Sequence, residues 1–183
     1  KWRYAYEDIW QDPLPFDVWD LHKTFWHRAH LFANGDMLVI FETIGLIRID
    51  KDSKLLWAKL NRSHHATFIN EDESIYVLTR RFRESHEKVK VSGEHYEDFI
   101  TEISPEGKEI RKVSILKSFL NSDYSSLIAA NIHRGKVDIL HTNSIELISA
   151  EIAAMYPMFK KGNVLISCRA IQAIAVIDLE QEK

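Results

Sequence analysis

Cysteine is almost missing from this sequence: Cys168 stands alone among 183 residues. A single cysteine excludes an internal disulfide framework and a multi-cysteine zinc site. Lying in the apolar run Val164-Leu165-Ile166-Ser167-Cys168, it reads as a buried, inert thiol. An excess of positive charge is missing too. With a net charge of -3 there is no general electrostatic reason to bind nucleic acid, which favours a basic face, so no nucleic-acid partner is expected. No run approaches the roughly 18 apolar residues of a membrane helix, so no membrane-spanning segment is expected. A Gly-rich phosphate loop, a Gly-x-Ser-x-Gly elbow and a His-Glu-x-x-His pair are all absent, and no cofactor is expected. The first residue is Lys1 with no apolar signal core after it, so any targeting segment is expected to have been removed or never included.

What is present is the composition of a soluble globular protein, 45% hydrophobic and 28% charged, long enough for one domain with a real core. Residues 1–26 carry Trp2, Trp10, Trp19 and Trp26 around Asp12-Pro13-Leu14-Pro15, and such aromatic density in an irregular segment anchors a lead-in to the body of a fold. From His27 a repeated pattern begins. Residues 29–32 form a strand, Asn34-Gly35-Asp36 a tight turn and Met37 to Phe41 the returning strand. Gly45 to Asp50 is a third strand, and Leu55 to Leu60, with Trp57, a fourth. A second copy runs from Ala66 through Ile75 to Thr79. It is interrupted by the strongly charged stretch 80–97, read as a solvated hairpin extension or loop, and resumes with Asp98 to Ile103, the turn Ser104-Pro105-Glu106-Gly107-Lys108, and Glu109 to Ile115.

Residues 116–130 are Ser- and Leu-rich with room for a helical turn, and 131–136 read as a loop bearing His133. A third copy starts at Tyr156-Pro157-Met158-Phe159, turns at Gly162-Asn163 and continues through Val164 to Cys168 and Ala173 to Asp178. Phe159 to Leu165 overlies Phe32 to Leu38 without a gap. The fold class is therefore all-β, a β-propeller of four-stranded antiparallel blades. About three blades are visible in one partial domain spanning 1–183: a lead-in (1–26), a blade (27–61), a blade with the charged insertion 80–97 (62–116), and an incomplete blade (137–183). Three blades do not close a ring, and open sheet edges are an aggregation hazard, so the expected partner is the rest of the propeller or another chain that completes it.

Three places carry potential chemistry. His64-His65 stands at the entrance of the second blade, where propeller loops supply binding residues; the competing reading has one imidazole on the backbone and the other in solvent. His141 and Asn143 fall on one face of an extended segment, because side chains alternate along a strand, and can either hold a charged oxygen or satisfy a strand end. Arg169 follows an apolar strand, so its charge must leave at the strand end or be paired. Its equivalents are Glu42 in the first copy and Arg80 or Arg81 in the second, which suggests either a polar channel mouth or an interblade salt bridge. A histidine, an amide and a guanidinium at neighbouring strand ends can all donate hydrogen bonds to an oxyanion. His22, His27 and His30 have no defensible metal spacing, and no metal site is expected. Asn61-Arg62-Ser63 fits the short N-glycosylation pattern, which occurs often by chance.

The His64-His65 entrance, the segment His141-Thr142-Asn143-Ser144-Ile145, and Gly162 to Arg169 followed by Ile174-Ala175-Val176-Ile177-Asp178 resemble the arylsulfotransferase family over about residues 27–183. The resemblance implies a six-bladed propeller that moves a sulfuryl group from an aryl sulfate to a phenol through a sulfated histidine, without a nucleotide donor. It implies a sulfate-binding set of His64 or His65, His141, Asn143 and Arg169, a small aryl sulfate or phenol as partner, and a periplasmic or extracellular location. By motif position the nucleophilic histidine falls in the blade after the Ser-x-Arg strand, beyond Lys183. The alternative is a non-catalytic propeller acting as a binding or assembly module. A quinone-dependent propeller dehydrogenase is disfavoured, because no tryptophan-docking motif repeats at fixed blade positions.

Overall fold

The computed structural model describes residues 4–17, 20–23, 25–86 and 91–183. Their strands form three antiparallel sheets, two of four strands and one of three, each a propeller-like blade. In the first blade β1 (Arg28–Leu31), β2 (Met37–Phe41), β3 (Gly45–Ile49) and β4 (Leu55–Lys59) lie side by side in chain order. The Asn34-Gly35-Asp36 turn closes through Phe32 N–H to Asp36 O at 2.8 Å, with Gly35 at φ 90 and the Asn34 side chain accepting from Asp36 N–H.

The second blade has the same order: β5 (Ser63–Ile69), β6 (Ile75–His86), β7 (Val91–Ile103) and β8 (Glu109–Ser114). Two helices follow, α1 (Ile115–Leu120), capped by the Ser114 hydroxyl accepting from Lys117 N–H, and α2 (Ser126–His133). The segment 131–136, expected as a loop, is half helix: Asn131 is buried and its amide donates to Ile139 O and Ala170 O, at 3.0 and 2.9 Å, tying α2 to the third blade.

The charged stretch 80–97 continues the β6–β7 hairpin, as expected of a hairpin extension, but it is not solvated throughout. β6 and β7 stay paired through Arg80↔Asp98, Arg81↔Glu97, Phe82↔Tyr96 and Arg83↔His95. Arg80, His95, Glu97 and Asp98 are all buried. Glu97 and Asp98 are neighbours on β7 and both are buried, so charge is covered on both faces here, and each carboxylate finds partners: Ser114 Oγ and Arg83 Nε both donate to Glu97, at 2.6 and 2.7 Å, and Arg80 donates to Asp98 at 3.3 Å.

In the third blade the first strand is not Tyr156 to Phe159. β9 (Thr142–Leu147) pairs with β10 (Val164–Cys168), and β10 with β11 (Ala173–Ile177). Between β9 and β10 the chain makes a helical excursion, α3 (Ala150–Met155), capped by Ser149 Oγ accepting from Ile152 N–H. Alanine-rich sequence after a serine cap favours helix, and Pro157 cannot donate to a ladder. The hairpin closes beneath the excursion through Ile148 N–H to Asn163 O at 2.8 Å.

Period-2 alternation builds the core in layers. Val39, Phe41, Ile47 and Ile49 face the lead-in, where Tyr6 and Trp10 are buried and Trp10 meets Phe41 edge to face at 6.3 Å. Leu38, Ile40 and Leu46 face Ile75, Val77 and Ile103 of the second blade. Leu78, Ile100 and Val113 then face Ile145, Val164 and Ile166 of the third. Each such side chain contributes about 1.5–3 kcal/mol when fully buried. Of the other lead-in tryptophans, Trp26 donates to Tyr4 O at 3.2 Å, while Trp2 and Trp19 lie outside the described residues. No helix among the described residues is long and apolar enough to cross a membrane.

Candidate functional site

Residues from all three blades and the lead-in surround a cavity of about 520 Å³. The first blade contributes Glu42, one residue beyond β2; the second contributes Arg62 and His65 at the entrance of β5, with Arg80 and Tyr96 from β6 and β7. Asp138 and His141 come from the approach to β9, and His22, Phe25 and His27 from the lead-in.

A backbone irregularity aims His65. In a regular strand vicinal side chains point to opposite faces, yet β5 is bulged between His64 and Thr67 and His65 sits at φ 53, so both imidazoles turn together. His65 N–H donates to Glu42 Oε2 at 2.9 Å, and His65 Nδ1 lies 3.2 Å from Glu42 Oε1. Burial pushes the Glu42 carboxyl up, but the hydrogen bonds from His65 outweigh it and hold the group at about 2. His64 is fully buried behind, with Nδ1 3.0 Å from His65 Nδ1 and Nε2 3.5 Å from Asp98 Oδ1. Burial, reinforced by the charge of Arg80, holds His64 well below the usual histidine value, so it is neutral.

His141 is held in the same manner. It sits at φ 51, its N–H donates to Asp138 Oδ1 at 3.0 Å, and Nδ1 lies 2.7 Å from Asp138 Oδ2. With Nδ1–H donated to a carboxylate, Nε2 is the free nitrogen of each ring. The two rings meet edge to face at 5.2 Å. Arg80 bonds Asp98 at 3.3 Å, while Arg62 stacks on Phe16 at 4.4 Å and has no ion pair among the described residues. Burial lowers the pKa of its guanidinium, which still remains a cation.

The family model described as Arylsulfotransferase (ASST) matches residues 28–183. The chain belongs to the arylsulfotransferase family. No curated protein matches it.

In this arylsulfotransferase-family chain the residues picked from sequence separate into two groups. His65 and His141 line the cavity, with His64 in contact behind them. Asn143 and Arg169 are not among the described residues lining it. The regular alternation on which the shared face of His141 and Asn143 was expected is interrupted: His141 precedes β9 with a positive φ, and the register slips between Ser167 and Cys168, leaving Asn143 as the extra residue of a bulge. Arg169 is exposed one residue past β10, and its N–H donates to His141 O at 3.1 Å. Arg80 N–H donates to Arg62 O in the same way, so Arg80 and Arg169 occupy matching places in their blades.

Sequence reading missed Glu42 as a histidine anchor and passed over Arg62, Tyr96 and Asp138 altogether. Only Asp138, three residues before His141, carried a local signal. His22 and His27 do reach the cavity, His22 Nδ1 lying 2.8 Å from Thr43 Oγ1, whereas His30 packs on Phe32. Asn61 of the glycosylation pattern has its amide nitrogen buried, and Ser63 Oγ bonds Asn61 Oδ1.

Proposed function

We propose that the cavity receives the sulfate group of an aryl sulfate, in a protein that transfers the sulfuryl group to a phenolic acceptor. The observation that supports this reading is the facing pair His65 and His141, each anchored through Nδ1 by its own carboxylate, with the guanidinium of Arg62 beside them. Sulfuryl transfer spreads negative charge over oxygens, and preorganised donors at those oxygens lower the barrier by several kcal/mol. Phe25 and Tyr96 give the cavity an apolar side suited to an aryl ring.

In this reading His65 and His141 meet the sulfate oxygens, and His64 acts only through its contact with His65. Asn143 and Arg169 complete the set from the rim, Arg169 as the counterpart of Arg80. The sulfur–oxygen bond of the donor breaks as a sulfur–nitrogen bond to a histidine forms and phenolate departs; the acceptor oxygen then takes the group as the sulfur–nitrogen bond breaks, its proton passing to the freed imidazole. We assign that nucleophilic histidine to no residue of 1–183.

The test is turnover of para-nitrophenyl sulfate with a phenol acceptor by the full-length protein, alongside His141→Ala and Arg169→Ala. Losses of at least about tenfold in kcat/KM, equivalent to about 1.4 kcal/mol, are expected in both variants. A parent without turnover would refute the enzymatic reading, and sulfate-ester binding without turnover would favour a binding module built on the same pocket.

A further inference from the structure

The geometry points to a divalent transition-metal site formed by His64 Nδ1, His65 Nδ1 and a carboxylate oxygen of Glu42, of the kind zinc occupies. One ligand atom from each of Glu42, His64 and His65 lies within 4.8 Å of the other two. The His64–His65 nitrogen separation is 3.0 Å and the His65–Glu42 separation 3.2 Å. Metal–ligand bonds of about 2.0–2.2 Å at angles of about 90–110° place neighbouring ligand atoms about 2.8–3.6 Å apart, a range that holds both separations.

Two features of the chain build this arrangement. Vicinal histidines in a regular strand cannot converge, and it is the bulge at His65, with φ 53, that brings both Nδ1 atoms to one point. His65 Nδ1 lies between His64 Nδ1 and Glu42 Oε1, within hydrogen-bond reach of both. The far nitrogen of His64 is fully buried, has no hydrogen-bond partner and points toward Asp98 Oδ1 at 3.5 Å. A carboxylate behind a ligand histidine keeps the proton on the far nitrogen and leaves the near one free for metal. Two histidines and one glutamate form a donor set used by zinc with further positions open, and here Glu42 and His65 border the cavity, which provides the entry path.

The inference is independent of sulfuryl transfer, and its test measures neither sulfate nor turnover. Zinc chloride is titrated calorimetrically into the protein near neutral pH, beside Glu42→Gln, His65→Ala and the control His133→Ala. About one zinc per chain is expected, with affinity about ten- to hundredfold weaker in the first two variants and unchanged in the control. Should those variants fail to melt cooperatively, X-ray absorption at the zinc edge of the parent decides: imidazole scattering from about two rings, with nearest neighbours at about 2.0–2.1 Å, supports the site. A parent that binds no zinc, variants that bind as tightly as the parent, or a zinc shell of water oxygens alone would overturn it.

Discussion

The imidazoles of His65 and His141 stand edge to face with centroids 5.2 Å apart, although they come from different blades. Both sit at left-handed backbone, at φ 53 and φ 51, beside a slip in strand register. Non-glycine residues adopt this conformation only where the surroundings hold them in it. Here the anchors are Glu42 and Asp138, each accepting both the backbone N–H and the Nδ1 side of its histidine.

That double anchoring makes Asp138 a positioning residue. Asp138→Asn should lower kcat/KM for aryl sulfate by about tenfold or more, the size of effect seen when a carboxylate behind a working histidine is lost. His141→Ala should cost about a hundredfold. Steady-state kinetics on the full-length protein would measure both, and an Asp138→Asn variant as active as the parent would remove the aspartate from the site.

Asp98 joins the second and third blades. It is buried, accepting from Thr142 N–H at 3.1 Å and from Arg80 at 3.3 Å. Asp98→Ala leaves a buried guanidinium and a backbone N–H uncompensated and should cost about 3–5 kcal/mol, read from the urea midpoint. Glu106→Ala, on an exposed turn, should leave the urea midpoint close to that of the parent.

Gly107 is irreplaceable for two reasons that act together. Its φ is +84, and a Cβ there would lie 2.7 Å from the ring of Trp57, whose Nε1 donates to Pro105 O at 2.9 Å. Gly107→Ala should destabilise by about 1–3 kcal/mol. At about 2–4 °C per kcal/mol the melting temperature should fall measurably, and by less when Trp57 is already leucine.

Burial pushes the Cys168 thiol up to about 12, against a smaller opposing effect of the Thr142 hydroxyl. The native protein should therefore react with a disulfide reagent at mildly alkaline pH only as fast as it opens. In the unfolded chain the thiol ionises near its ordinary value, about 8.5. The protonated form is favoured by folding, so this stabilisation is present in full below the ordinary value and is lost as pH rises toward about 12. Cys168→Ala should flatten part of the alkaline fall in stability measured by denaturant titration.

The blades were legible because their signals are local. Alternating apolar residues in Met37 to Phe41 and in Val164 to Cys168, and the turns at Gly35, Gly107 and Gly162, describe strands and hairpins without reference to distant parts of the chain. The third blade went astray where a serine cap and alanines outweighed the repeat pattern between Ile148 and Asn163. Within 80–97 the hairpin was legible but the burial of Arg80, His95 and Glu97 was not, because charge content alone does not say which residues face inward.

By itself the sequence determined an all-β chain of propeller-like blades, its family, and the histidines His65 and His141 as residues worth watching. Only the tertiary structure decided which groups meet. Extra residues break the regular alternation of a strand, two of them at His65 and Ala66 and one at Asn143. Glu42, Arg62, Tyr96 and Asp138 reach the same space because segments from separate blades converge there, a relation set by blade packing rather than by spacing along the chain.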